Sequence, residues 1–238
     1  MTEQNPKLAG SNIVDCIPQT GECPHKCSEC FYNGGRFYRT LEEPLIPTVE
    51  EVAGRIVRVN CGNDSNNKRE QVIRETARYR DKFYNTSIPK LDFPAPVVLT
   101  LNPQHGDKLW LVDPVPPNLM FVRVRAGLWE SHAVTEAAAW YNEKRRDVPV
   151  VATFMRYYDI EKIPIGYRDF YEHRKNISNS YWMPKTQAVL DFMAKFKFTG
   201  VKMCGTPWSS LCVDCGNCEA FYWRAIRRMA VAMQPAPK

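Results

Sequence analysis

The 238-residue chain has no run of about 18 apolar residues, the length a helix needs to cross a bilayer. Its first residues, MTEQNPKLAG, lack the apolar core of a signal peptide. These two absences argue against a membrane protein and set the expectation of a soluble protein in the cytoplasm. Histidine is scarce, with four in all, and none falls into a Cys/His or Ser/His/Asp pattern, so no familiar nucleophilic triad is visible. His25 lies between two cysteines and can ligate or hydrogen-bond there; His105 follows a strand-like segment; His132 and His173 read as ordinary helix or loop residues. Internal repeats and low-complexity segments are also lacking. The proline-rich DPVPPN (113–118) is a rigid connector within globular sequence. Hydrophobic content of 44% and charged content of 24% are ordinary, and the length suits one substantial core.

Cysteine is what the chain has in quantity, nine residues, and in a reducing compartment these are metal ligands or free thiols rather than disulfides. Cys23, Cys27 and Cys30 form C-x3-C-x2-C in CPHKCSEC. Three thiols on one short loop can hold three corners of a cubic iron-sulfur cluster and leave the fourth iron open, whereas a structural zinc site wants four protein ligands. The zinc alternative needs His25 or a distant residue as the fourth. Cys204, Cys212, Cys215 and Cys218 form C-x7-C-x2-C-x2-C, a closed four-thiol site for an auxiliary four-iron cluster or for zinc. Of the other two, Cys61 reads as a small hydrophobe, and Cys16 lies close enough to the first loop to support it. The formal charge of +6 falls to about +3 once two thiolate-bound clusters are included. That balance permits a phosphate-bearing partner without requiring one.

Along the chain, SNIVDCIP (11–18) reads as a short strand feeding the cysteine loop. Thr48 and Glu51 make a capping box for a helix running to about Asn60. A loop at 61–67 precedes a basic helix near Lys68 to Tyr84, whose arginines are read as a solvated face. Val97 to Leu101, Leu119 to Ala126 and Val148 to Tyr157 are strands, with a helix capped by Ser131 and running to about Arg146 between the last two. Ile177 to Trp182 is a further strand, Thr186 to Phe196 a helix, Gly200 to Met203 a last short strand, and Glu219 to Met233 a helix whose aromatics cover the second cysteine site. Strand, helix, strand in succession implies a parallel sheet with right-handed crossovers.

A period of two puts Arg123 and Arg125 on one face of their strand and Val122 and Val124 on the other. Guanidinium groups in an apolar strand need anions, and the candidates are the carboxylate of a cofactor, a substrate phosphate or a substrate carboxylate. The alternative is an exposed edge strand with both arginines in water. The aromatic stretch Tyr157, Tyr158, Tyr167, Phe170 and Tyr171 is read as packing rather than as a base-stacking surface.

The N-terminal C-x3-C-x2-C after an apolar strand, the passage VRVRAGLWES and the terminal C-x2-C-x2-C ahead of an aromatic residue together resemble the radical S-adenosylmethionine (SAM) superfamily. In layout the chain is similar to its small members encoded by bacteriophages. The resemblance implies an α/β fold, a partial (β/α) barrel over 1–200 with a metal-binding extension over 201–238 packed on it, and an active site at the C-terminal ends of the strands. It implies that Cys23, Cys27 and Cys30 hold a [4Fe-4S] cluster whose open iron is chelated by SAM, and that one electron cleaves SAM to methionine and a 5′-deoxyadenosyl radical that takes hydrogen from the substrate. Glu29 stands where the superfamily usually has an aromatic residue, which leaves Phe31 or Tyr32 for the adenine, and Gly34 and Gly35 let backbone approach SAM or substrate. The electron donor would be a flavodoxin or ferredoxin. The substrate is a nucleotide or nucleic acid on the weight of the basic helix and paired arginines, or a peptide or protein on that of the auxiliary cluster. A zinc-stabilised nucleic-acid-binding module without catalysis is the alternative of a different class.

Overall fold

The computed structural model describes residues 5–27, 30, 42–103, 111–175 and 180–234. Its strands are β1 (Ile13–Cys16), β2 (Ile56–Val59), β3 (Lys82–Thr86), β4 (Val97–Leu101), β5 (Leu119–Ala126), β6 (Val150–Phe154), β7 (Tyr171–Lys175), β8 (Ser180–Pro184) and β9 (Lys202–Met203). Its helices are α1 (Val49–Val52), α2 (Arg69–Thr76), α3 (Ser131–Lys144), α4 (Thr186–Ala194), α5 (Cys212–Cys215) and α6 (Asn217–Ala232). Seven strands pair in parallel in the order β1-β2-β3-β4-β5-β6-β9 and curl into a partial barrel, while β7 and β8 make an antiparallel hairpin.

Strands β1 to β6 bury both faces, whereas the edge strand β9 is partly exposed. One face, carrying Val57, Val59, Tyr84, Leu99, Val122, Val124 and Ala152, packs on Ala133, Val134, Ala137 and Tyr141 of α3. The concave face carries Ile13, Ile56, Phe83, Val98, Phe121 and Val151, and Phe221, Tyr222 and Ala225 of α6 cover it. Phe121 meets Phe221 edge-on with ring centroids 5.5 Å apart. Polar contacts fix where α6 lies: Tyr222 Oη donates to Asp81 Oδ1 at 3.2 Å, and Arg228 donates to Pro117 O at 2.8 Å, to Asp147 O at 3.0 Å and to Leu119 O. Those acceptors sit at the starts of β3, β5 and β6, so α6 closes the N-terminal end of the barrel and leaves the C-terminal end to the loops.

The capping box forms as expected, with Glu51 N donating to Thr48 Oγ1 at 3.1 Å and Thr48 N to Glu51 Oε2 at 2.9 Å. The helix does not continue to Asn60. It ends after one turn, where Ala53 (φ 49°) and Gly54 (φ 76°) turn left-handed, and Ile56-Val57-Arg58-Val59 becomes a strand paired on both sides. The basic helix likewise stops at Thr76 and yields to β3, because Phe83 and Tyr84 are buried on opposite faces of the sheet. Its arginines behave as a solvated face at Arg74 and Arg78, whereas Arg69 pairs with Asp92 at 2.8 Å and lies over Phe93. Ser131 begins α3 rather than capping it; the Glu130 carboxylate accepts from Gly127 N at 2.6 Å. The expected strand at 148–157 is confined to Val150–Phe154, and the strand expected at 177–182 runs over Ser180–Pro184 with the unforeseen β7 as its partner. The aromatic stretch does pack, with Trp129 ringed by Tyr157, Tyr167 and Tyr171. No helix of the described residues is long and apolar enough to cross a membrane.

Candidate functional site

Two residues beyond the apolar floor, six strands in succession place a polar side chain on the concave face: Asp15, Arg58, Asn85, Thr100, Arg123 and Thr153. The alternation of side chains along a strand requires this, since residues i and i+2 share a face. Arg58 grips Asp15 with both ends of its fork, at 2.7 and 3.2 Å, and the pair is shut off from water. Arg123 Nη1 reaches across β4 to Asn85 Oδ1 at 3.3 Å, and Arg125 Nη1 donates to Asn102 Oδ1 at 2.9 Å. Arg123 and Arg125 therefore share the concave face as the period of two requires. The edge-strand alternative fails, because β5 has β4 on one side and β6 on the other.

The first cysteine loop leaves β1 toward the C-terminal end of the barrel. Ile17 and Leu45 bridge at 2.8 and 2.9 Å, and Cys23 is buried against both, with Cys30 packed beside them. Backbone turns link Lys26 N to Cys23 O at 3.4 Å and Cys30 N to Cys27 O at 3.2 Å. The loop is tied to the segment after β2. Gln19 Nε2 donates to Asp64 O at 2.9 Å and to Asn67 O at 3.1 Å, and His25 Nε2 lies 3.6 Å from Asp64 Oδ2. Asp64 is itself fixed, accepting from Thr86 Oγ1 at 2.8 Å and Ser87 N at 2.6 Å. Burial pushes the Cys23 thiol up to about 11. Burial also raises Cys27, opposed first by the Arg125 guanidinium, while Arg125 is lowered by burial and held charged by Cys27 and Cys30. Arg125 is thus the cation that the first cysteine loop feels. Phe31, Tyr32, Gly34 and Gly35, with Glu29 and His105, lie outside the described residues.

The second cysteine group starts at Cys204, whose N–H donates to Ala152 O at 2.8 Å at the end of β9. Gly205 N–H donates to Cys215 Sγ at 3.3 Å, the kind of amide that steadies a thiolate. Gly205 has φ 84°, and a Cβ there would sit 2.9 Å from Ser209 O, so glycine is required. Gly216 (φ 64°) makes the corner between α5 and α6. Asn217 Nδ2 donates to Met203 O at 2.8 Å, and Cys212 and Cys218 pack against the floor. Of the α6 residues expected over this site, Phe221 and Tyr222 belong to the buried cluster on which Cys212 and Cys218 pack, with Ile226 beside them, whereas Trp223 is largely exposed. Burial pushes the Cys218 thiol up to about 12, with Arg58 and Arg123 opposing the rise. Cys212 is raised by burial, with Arg58 opposing and Cys204, Cys61 and Cys215 adding.

Two residues change status. Cys61 is half-buried just beyond the C-terminal end of β2 and lies outside the apolar core, and its charge acts on Cys212, an influence no sequence spacing announces. Cys16 does not support the first loop; it faces the outer core beside Tyr79, and burial pushes its thiol up to about 12. Sequence reasoning also missed Arg58, Asp15, Asn85 and Asp64. The signal was present as an apolar residue followed two places later by a polar one, in IVD, IVR, FYN, VLT, FVR and VAT.

Among the described residues no three Cys, His, Asp or Glu side chains are drawn together as a formed metal site. The donor chemistry nevertheless suits thiolate-bound metal. Each group presents soft sulfur ligands on short loops, cations answer them from β5 and β2, and an amide is directed at Cys215 Sγ. Cys23, Cys27 and Cys30 would hold one group with a position to spare, and Cys204, Cys212, Cys215 and Cys218 a second with none. Comparison of the chain with protein-family models, curated proteins and solved structures finds no match.

Proposed function

We propose that the chain is a radical SAM enzyme, with Cys23, Cys27 and Cys30 holding a [4Fe-4S] cluster and Cys204, Cys212, Cys215 and Cys218 holding a second four-iron cluster or zinc. One observation carries this reading: a loop with three thiols and no fourth stands at the C-terminal end of a curled parallel sheet, with the half-buried cation Arg125 acting on its thiols. When bound, an open-iron cluster supplies the electron for reductive cleavage of SAM. The chain's own residues do the rest. Gln19, through its bonds to Asp64 O and Asn67 O, holds the loop to the barrel, and Arg125 offsets thiolate charge. The floor made with α6 excludes water from below. The substrate lies on the concave face between the two cysteine groups, and the electron donor is a flavodoxin or ferredoxin. A nucleotide is favoured over a peptide by the arginines that line that face.

The test is iron and sulfide per chain on anaerobically reconstituted protein, with electron paramagnetic resonance of the reduced form before and after SAM. About eight irons are expected in wild type and about four in the Cys23/Cys27/Cys30→Ala variant, with a SAM-induced spectral change lost in the variant. About four irons plus one zinc in wild type would assign zinc to the second site. Zinc without iron, or iron indifferent to SAM, would overturn the reading in favour of a metal-stapled binding protein.

A further inference from the structure

Arg123 differs from the other interior arginine at its level. Arg58, 7% exposed, has its carboxylate in Asp15, at 0%. Arg123 is half-buried on the concave face, uses one donor on the neutral Asn85 Oδ1 at 3.3 Å, and lies over the Phe121 ring at 5.5 Å. No carboxylate among the described residues pairs with it, and Asp15 is the one acid among the concave positions of the described strands. A guanidinium has five N–H donors and stays charged, so most of its capacity here is unspent. Its neighbours in register are Thr100 on β4 and Val151 on β6; Thr153, two residues further along β6, stands opposite Arg125, on the same concave face. Thr153 Oγ1 is shut off from solvent with no hydrogen-bond partner. A charged fork and an idle hydroxyl on one concave face define a receptor for an oxyanion.

We infer that Arg123, with Thr100 and Thr153, binds an oxyanion group, phosphate or carboxylate, on the substrate, and so holds that substrate between the two cysteine groups. The two arginines of β5 then divide the work by depth. Arg125, nearer the C-terminal end, answers Cys27 and Cys30; Arg123, one step deeper, answers the ligand. As a statement about the substrate this rests on the radical SAM reading; as a statement about binding it does not. The rival explanation is that Arg123 only balances the thiolates at Cys218, whose field it shares.

Calorimetric titration of the full chain, metal-free and reconstituted, with inorganic pyrophosphate and separately with malonate decides the matter. Saturable binding to the reconstituted wild type is expected. Arg123→Gln should weaken it at least about tenfold and Arg123→Lys, which keeps the charge and loses the fork, about threefold. The surface control Lys144→Gln should leave it unchanged. Preference for pyrophosphate over malonate assigns a phosphate-bearing substrate, and the reverse a carboxylate. Should Arg123→Gln not fold, the Arg123→Lys comparison carries the result. Binding confined to the metal-free chain, absent from wild type, or equally strong in the Arg123 variants and the Lys144 control would overturn the inference. Arg123-dependent binding in a chain whose iron ignores SAM would leave the anion site standing and remove the radical chemistry.

Discussion

Arg58 and Asp15 are a fully buried ion pair, and removing one partner of such a pair strands the other charge without water. Asp15→Asn should cost about 3–5 kcal/mol by guanidinium denaturation, and the double change Asp15→Leu with Arg58→Met should recover most of that loss. An equal loss in the double variant would mean that the pair is net stabilising. Arg125 invites a different measurement, because its charge acts on Cys27 and Cys30. On the radical SAM reading proposed above, Arg125→Met should leave iron content unchanged and move the reduction potential of the proposed N-terminal cluster to more negative values, since a positive charge favours the reduced state. A redox titration followed by paramagnetic resonance reads this directly, and an unmoved potential would detach Arg125 from that loop. Neither pairing was legible from residue types. Asp15 and Arg58 are 43 positions apart and meet only because β1 and β2 are neighbours in register.

At the scale of elements, the segment after Thr48 shows how a correct local signal leads to a wrong boundary. The capping box specifies where α1 starts and says nothing of where it stops. Its end is set by Ala53 and Gly54 in left-handed conformation and by the pairing of β2 with β1 and β3. Ala53 carries a Cβ where glycine is favoured, so Ala53→Gly should stabilise the chain by about 1 kcal/mol in urea denaturation. Loss of stability there would mean that Ala53 packs rather than turns. The closure by α6 is testable too: Phe221→Ala should cost about 3–5 kcal/mol because it opens a cavity against Phe121, and Tyr222→Phe about 1 kcal/mol for the bond to Asp81. A small cost for Phe221→Ala would mean that α6 does not form the floor.

For the whole molecule, pH dependence follows from buried thiols. Cys16 titrates at about 12 in the folded chain because of burial, against about 8.5 for a thiol in the unfolded chain. Between those values the unfolded state binds fewer protons, so stability is complete below about pH 8.5 and declines as pH rises toward 12. Denaturation midpoints of the metal-free chain should fall from pH 8 to 10.5, and Cys16→Ala should flatten the fall. An unchanged slope in that variant would place the titration elsewhere. Metal loading follows the same logic, because thiols must lose their protons to bind, so loading at neutral pH should release protons measurable in weak buffer.

Sequence alone determined the elements whose signal is local. β4 and β5 run over the residues expected of them, and Arg123 and Arg125 share one face because side chains alternate. Tertiary structure decided everything that depends on which strands become neighbours. It set six polar residues on one concave face above an apolar floor, brought Cys61 into the electrostatic field of Cys212, turned Cys16 to the outer core, and gave the two arginines of β5 different surroundings at different depths. The physical reason is that periodicity along a strand is written in adjacent residues, whereas register across a curled sheet is fixed by burial and hydrogen bonding between segments far apart in the chain.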